Sequence, residues 1–475
     1  MREYTRFYID GQWVEPAGQE TLDVLNPATE AVAGRIALGT AADVDKAVHA
    51  ARRAFPGWSA TSREDRLAIL GSILAEYQKR ADDLAAAVTE EMGAPVSLAR
   101  NAQVQIGLAH LATALEILKT FPFTQERGQT LIAREPIGVC GLITPWNWPL
   151  NQITCKVAPA IATGCTMVLK PSEIAPFSAQ IFTEILEAAG LPAGVFNLVH
   201  GDGIGVGVPL SSHPEVDMVS FTGSTRAGIE VARNAAATVK RVAQELGGKS
   251  PHIVLDDAYL PQSVAGGVQG MMINSGQSCN APSRMLVPAA RMAEAIESAR
   301  AAASSITVGP PDGNAQIGPV ASQAQFDKIR GLIQSGIDEG ATLVAGGVAR
   351  PEGLDKGYYV QPTVFANVTP DMTIAREEIF GPVLSIMAYQ TLDEAIEIGN
   401  DTEYGLAAYV SGADIDTARK VAARMRAGQV SINGARDLMA PFGGYKRSGN
   451  GREWGDFGFH EFVEVKAVLG YASQG

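Results

Sequence analysis

From residue 137 onward, short apolar runs alternate with longer amphipathic stretches. The runs fall at 138–144, 165–170, 195–200, 218–222 and 239–245, each bounded by Gly or Pro. Between them, segments near 149–163, 176–190, 203–211 and 225–237 carry apolar residues at helical spacing. Strand alternating with helix through short connections predicts parallel βαβ units and a doubly wound sheet. A second alternation runs from about 252 to 432, with helices expected near 260–276, 289–305, 321–339, 391–400 and 414–427, and predicts a second α/β unit. Ahead of residue 137 the chain is helical after a short β-rich lead. Val44, Ala47, Val48, Ala51 and Phe55 share one face behind a Thr40 N-cap, and Leu67, Leu70 and Leu74 are expected inward on a helix that starts near Ser62. The tail at 461–471 reads as a strand with apolar residues on both faces: Phe462, Val463, Val465, Val468 and Leu469.

Charge removes several functions. The formal net charge of −13 over 475 residues argues against nucleic-acid or anionic-membrane partners, which need a basic face. No apolar run reaches the roughly 18 residues of a membrane span, and the first residues lack an apolar signal core, so a cytoplasmic location is expected. The four cysteines, Cys140, Cys155, Cys165 and Cys279, form no CxxC pair, and the six histidines show no HExxH spacing, so no metal is expected.

Ligands of open α/β sheets bind beyond the carboxyl ends of the strands. Pro145-Trp146-Asn147, Lys170-Pro171-Ser172-Glu173, Thr222-Gly223-Ser224 and Glu245-Leu246-Gly247-Gly248 all fall there. Lys170 and Glu173 can donate to and accept from ribose hydroxyls, although alone they read more readily as a solvated pair at a strand end. Gly223 to Gly228 opens a helix whose N-terminus favours phosphate. Neither this segment nor the run Gly201, Gly203, Gly205, Gly207 has GxGxxG spacing, and Gly248-Lys249-Ser250 lacks the first glycine of a P-loop, since residue 243 is Ala. Cys279 lies in a polar, Gly-containing loop after an expected helix, whereas the other cysteines sit in apolar stretches as small core residues.

Together these segments resemble the aldehyde dehydrogenase superfamily over essentially the whole chain. The matching stretches are TPWNWPL (144–150), KPSE (170–173), FTGSTRAG (221–228), ELGGKSP (245–251), GQSC (276–279), EEIFGPV (377–383) and PFGGYKRSGNGRE (441–453). The resemblance implies an α/β fold of two doubly wound parallel-sheet domains with a small β oligomerisation arm. The NAD-binding domain would comprise 1–118 and 137–247, with 448–462 returning to it. The catalytic domain would be 248–447, and the arm 119–136 with 463–475. It further implies Cys279 as the nucleophile, Glu245 as general base, Asn147 as oxyanion donor and Glu453 as a second carboxylate on the proton path. For NAD it implies Lys170 and Glu173 at the adenosine ribose, Gly223 and Ser224 at the pyrophosphate with Trp146 and Gly203 nearby, and Glu378, Phe380 and Gln325 at the nicotinamide half. Because Glu173 would repel a 2′-phosphate, NADP is expected to bind more weakly. Trp148, Gln152, Cys155, Ile273, Ser278, Arg436 and Phe442 are the implied pocket for the aldehyde.

The expected reaction is oxidation of an aldehyde to an acid through a thioester that water hydrolyses. A CoA-acylating relative would usually lack the equivalent of Glu245, and an inactive crystallin-like protein would not need intact Cys279, Glu245 and Asn147. Most of the implied pocket is apolar or small, which suits an uncharged aliphatic or aromatic aldehyde; Arg436 would instead suit a semialdehyde carboxylate, unless it pairs with Asp437 or faces solvent. The apolar tail implies a homodimer or homotetramer.

Overall fold

The computed structural model describes residues 1–472; the last three residues of the expected arm, 473–475, lie outside the described residues. Two sheets dominate. The first runs in the order 449–450, 241–245, 218–222, 139–143, 166–170, 196–198, 7–9, 12–14. Its five central strands are parallel, and its edges are antiparallel: 449–450 on one side, the 7–9 and 12–14 hairpin on the other. The second sheet runs 342–345, 363–366, 383–389, 284–288, 251–254, 407–411, 429–432, parallel except at its first edge. The central strands of the first sheet are buried on both faces, which explains their near-continuous apolar character. Among the described residues no helix is long and apolar enough to cross a membrane, and no group of three His, Cys, Asp or Glu could hold a metal.

Helix 41–59 starts at Thr40 with an Asp43 capping box and buries Val44, Ala47, Val48 and Ala51, while Phe55 stays half-buried. On helix 63–79 the inward stripe is displaced from the one expected. Arg66, Leu70, Ile73 and Tyr77 are buried, and Leu67 and Leu74 only half-buried. The reason is Arg66, whose guanidinium donates to the carbonyls of Thr61 and Ala162 and so satisfies backbone acceptors inside the fold. The run expected from 239 begins at 241, because Val239 adopts a left-handed turn conformation (φ 57°) and is exposed.

Helix 149–163 ends on left-handed Gly164, and all of its residues are buried. It packs against helix 104–120, helix 455–461 and the helix 63–79 just described. Glu91, at the end of helix 81–92, is fully buried and accepts from the Phe177 and Ser178 amides at the start of helix 177–188. Burial pushes its carboxyl up to about 7 in spite of those bonds.

A three-stranded sheet stands apart. The tail strand 463–469 pairs antiparallel with 130–136, which pairs with 124–127. Phe462 and Val463 are buried, whereas Val465 is 66% and Leu469 79% exposed on a strand with one edge unpaired.

Candidate functional site

Strand register assembles the site. Ile143 lies opposite Lys170, Phe221 opposite Ile143, and Thr222 opposite Glu245, so the segments after these strands meet at one carboxyl edge. Glu245 ends its strand 3% exposed, and neither carboxylate oxygen has a hydrogen-bond partner among the described residues. Burial, then the nearby Glu453 carboxylate, pushes Glu245 well above the usual carboxylate range, and Lys156, Arg452 and the Gly444 amide, which lies close but outside good hydrogen-bond geometry, pull against that.

The Gly247–Gly248 turn lets two further segments close on this strand end. A Cβ on Gly248 would stand 2.3 Å from the Cys279 carbonyl oxygen, and one on Gly247 would stand 2.5 Å from Glu378 Oε2. Glu378 accepts from the Gly248 amide at 2.9 Å, and burial raises its carboxyl too. Helix 260–272 gives way to a tight turn in which Asn274 (φ 57°), Ser275 (φ 54°) and Gly276 (φ 70°) are all left-handed. Gly276 packs on the Gly381 carbonyl, where a Cβ would come within 2.1 Å, beside left-handed Phe380 (φ 59°). Two strained turns therefore abut and hold Cys279. Cys279 is half-open by surface area, yet its sulfur lies deep among protein atoms. Burial, Glu245 and Glu378 all push its thiol up, so the resting group is a thiol that needs a base.

Asn147 is buried, and its side-chain Nδ2 donates to the Gln277 carbonyl at 3.0 Å; the second N–H on that nitrogen remains to be used. Its own carbonyl accepts from Asn274 Nδ2 and Gln103 Nε2, which fixes the turn before helix 149–163 to the Cys279 loop. Trp148 Nε1 donates to Ser278 Oγ at 2.8 Å.

A charge chain leads away from Glu245; sequence reasoning singled out its Glu453 but missed its Lys156. Lys156 is 1% exposed and its ammonium bonds Glu453, whose other oxygen lies 3.4 Å from Cys155 Sγ. Burial is the largest influence and works to lower the Lys156 ammonium, but Glu453, Cys155 and Glu245 together outweigh it and the net direction is up; burial and Glu453 also push the Cys155 thiol up. The signal was present: Lys156 is the lone charge in PLNQITCKVAPAIAT. Glu453 is held by mutual backbone hydrogen bonds with Phe442, whose ring stacks on Trp454 at 4.3 Å. A small cavity lined by His110, Cys155, Pro159, Trp454 and Phe459 lies beyond.

Several of the residues expected at the cofactor lie at or against this edge. Lys170 Nζ bonds Glu173 at 3.1 Å. Gly223 is half-buried, and Ser224, exposed, N-caps helix 225–236 through an Ala227 amide bond; Gly203 is exposed. Trp146 and Phe380 meet edge to face at 5.4 Å. Gln325, in the first turn of helix 323–338, holds a buried Oε1 without a partner. That orphaned acceptor, the exposed helix start and the Lys170–Glu173 pair fit a dinucleotide with hydroxyl donors and phosphates. Of the implied aldehyde pocket, Gln152, Cys155 and Phe442 are buried, Trp148 and Ser278 half-buried, and Ile273 and Arg436 exposed. Arg436 does not pair with Asp437, which accepts from the Met439 amide instead; it lies near enough to Tyr409 to bias the phenol, and Tyr409 bonds the Asn280 carbonyl next to Cys279.

The family model described as "Aldehyde dehydrogenase family" matches residues 13–468. A 3-succinoylsemialdehyde-pyridine dehydrogenase from a Pseudomonas species is 58% identical, covering 99% of both chains. The solved structure of a cysteine-to-alanine variant of Pseudomonas syringae aldehyde dehydrogenase C, complexed with NAD+ and octanal, is 54% identical with a TM-score of 0.98, covering 99% of this chain and 98% of that one. A Mycobacterium tuberculosis aldehyde dehydrogenase complexed with NAD+ is 40% identical with a TM-score of 0.96, covering 98% of each chain. Matched almost end to end by model, sequence and structure, the chain belongs to the aldehyde dehydrogenase family.

Proposed function

We propose that this aldehyde dehydrogenase oxidises uncharged, mainly apolar aldehydes to carboxylates with NAD+, through a thioester on Cys279 that water hydrolyses at Glu245. The observation that supports it most is the buried, partnerless Glu245 carboxylate at the strand end against which the Cys279 loop is packed. Glu245 takes the Cys279 proton, directly or through water, and the thiolate attacks the formyl carbon. The second Asn147 N–H and the Cys279 amide donate to the oxyanion; one such donor is typically worth roughly 3 kcal/mol. A bound nicotinamide supplies the hydride acceptor. Lys170, Glu173, Gly203, Gly223 and Ser224 hold the adenosine and pyrophosphate side, and Trp146, Gln325, Glu378 and Phe380 the nicotinamide side. Before hydrolysis Glu245 releases the Cys279 proton toward the Lys156–Glu453 pair; it then takes a proton from water, which attacks the thioester carbon, the C–S bond breaks, and the departing Cys279 thiolate recovers a proton from Glu245.

We assign 1–118 and 137–247, with 448–462, to the NAD-binding domain, 248–447 to the catalytic domain, and 119–136 with the tail to an oligomerisation arm in a cytoplasmic homodimer or homotetramer. Names of relatives lend support: one is crystallised with octanal, another is named for a pyridine semialdehyde. The test is NADH release from octanal and NAD+, with and without CoA. Release without CoA, abolished in Cys279→Ala, is expected. A strict CoA requirement refutes hydrolysis, and no release refutes the dehydrogenase.

A further inference from the structure

The strands of the second sheet begin beside a group of cations that, among the described residues, have no carboxylate partner. Lys249, just ahead of strand 251–254, is 1% exposed, and its ammonium nitrogen has no hydrogen-bond partner. Arg284, at the start of strand 284–288, is equally buried and gives its guanidinium only to backbone carbonyls: Lys249 at 3.0 Å, Ile398 at 3.0 Å and Gly399 at 2.7 Å. Lys446 donates to the Asn400 and Thr402 carbonyls, and Arg426 lies over the Tyr445 ring at 5.3 Å. The carboxylates around them are engaged elsewhere: Asp401 by Arg376, Glu403 by Arg447, and Glu378 by the Gly248 amide. A buried charge left uncompensated is costly. The cost shows in the ammonium groups. Burial, then Arg284, holds Lys249 down to about 7 against the pull of Glu378 and Glu377, and burial, Arg284 and Arg426 press Lys446 down as well.

Lys249, Thr402, Tyr404 and Arg426 line one cavity, with room for about one water-sized particle. Its polar lining offers donors rather than acceptors. The Lys249 ammonium has its hydrogens free, and Thr402 Oγ1 accepts from the Tyr404 amide and keeps its own hydrogen to give. The nearby Asn400 and Thr402 carbonyls are taken by Lys446. We propose that this cavity binds one small monovalent anion of the chloride kind, on the Lys249 ammonium and the Thr402 hydroxyl. Charge selects the sign, because Lys249, Arg284, Lys446 and Arg426 converge there without a bonded carboxylate. Size selects a monatomic ion over phosphate or sulfate. Lys249 directly follows Gly248, whose amide holds Glu378, so the ion gives the ammonium a counter-charge of its own and leaves Glu378 to that amide.

The experiment uses the enzyme saturated with NAD+, so that the cofactor's own phosphates fill their site. Crystals moved from sodium gluconate to sodium bromide are read by bromine anomalous scattering. Melting temperatures are compared in sodium chloride, sulfate and gluconate at equal ionic strength. A bromide within hydrogen-bond reach of Lys249 Nζ is expected, with a saturable rise in Tm of about 2 °C or more in chloride alone. Lys249→Met, close in volume and without the ammonium, should lose both the bromide and the chloride-specific rise. Bromide found only at other positions, equal melting in chloride and gluconate, or a chloride rise that survives Lys249→Met overturns the site. Sulfate acting as well as chloride overturns its assignment to a monatomic ion. Should Lys249→Met fail to fold, the position of bromide in the wild type decides in its place.

Discussion

Replacing Lys156 by Met removes the one ammonium from the buried charge chain and keeps most of the volume of its stem. In the wild type this ammonium is 1% exposed and faces Glu453, which is 8% exposed and has only the Cys155 thiol as another side-chain partner. Breaking a buried ion pair from one side costs about 3–5 kcal/mol. That loss should appear as a lower urea midpoint. Glu453→Gln in the same chain should restore most of it. Lys156 also pulls Glu245 down, so its loss drives the Glu245 carboxyl further up and leaves less base at neutral pH. Each unit of that shift costs about tenfold in thioester hydrolysis at pH 7 and is recovered on raising the pH. Urea midpoints across pH 5–8 and rapid-mix NADH traces read both effects. The steady state should fall more than the burst, with an alkaline-shifted profile. A stability loss below about 1 kcal/mol at every pH, together with an unmoved profile, would refute the chain as drawn.

Four other outcomes follow from the geometry. Glu173→Ser, which removes the carboxylate beside Lys170, should narrow the preference for NAD+ over NADP+ measured as a ratio of kcat/KM; an unchanged ratio places the ribose elsewhere. The exposed Val465 and Leu469 should be covered in an oligomer, so light scattering at micromolar concentration should give a multiple of 49.9 kDa for the wild type and a lower mass for Val465→Asp/Leu469→Asp. A wild-type monomer refutes the arm. Arg436, exposed and unpaired with Asp437, should not make succinic semialdehyde a better substrate than an uncharged aldehyde of similar length; a clear advantage that Arg436→Ala abolishes would make the enzyme a semialdehyde dehydrogenase. Glu91, pushed up to about 7, should lose about 3 kcal/mol relative to Glu91→Gln as pH rises from about 4.5 to 7, with the difference flat above that; denaturant midpoints for the two proteins at pH 5 and pH 8 test it.

What the sequence made legible was whatever local chemistry dictates. Apolar runs buried on both faces read as central strands, and residues that end such strands, Lys170, Thr222 and Glu245, read as a common edge because parallel topology leaves them no other place. Less legible was whatever depends on a distant partner. Arg66 is buried because backbone acceptors in a turn and a second helix receive its guanidinium, and no local pattern announces that. Lys156 and Glu453 lie 297 residues apart in sequence, so their pairing waited on the fold. The antiparallel strand 449–450 beside Glu245 is two residues long, too short for any periodicity. Gly248 and Gly276 sit in the matching motifs, and only coordinates give the reason: backbone oxygens of Cys279 and Gly381 occupy the space of their absent side chains.

Every residue of helix 149–163 is buried, so a single element is at once structural interior and wall of the reaction chamber. Natural variation is thereby channelled. A change at Gln152 or Cys155 that alters which aldehyde fits must also repack against neighbouring helices, and core volume changes typically cost about 1–5 kcal/mol. The loop from 433 to 441 carries no such obligation, since most of it, Arg436 included, is exposed. Lineages descending from this chain should therefore diversify their substrates first through that loop, and rewrite the helix only in company with compensating substitutions elsewhere.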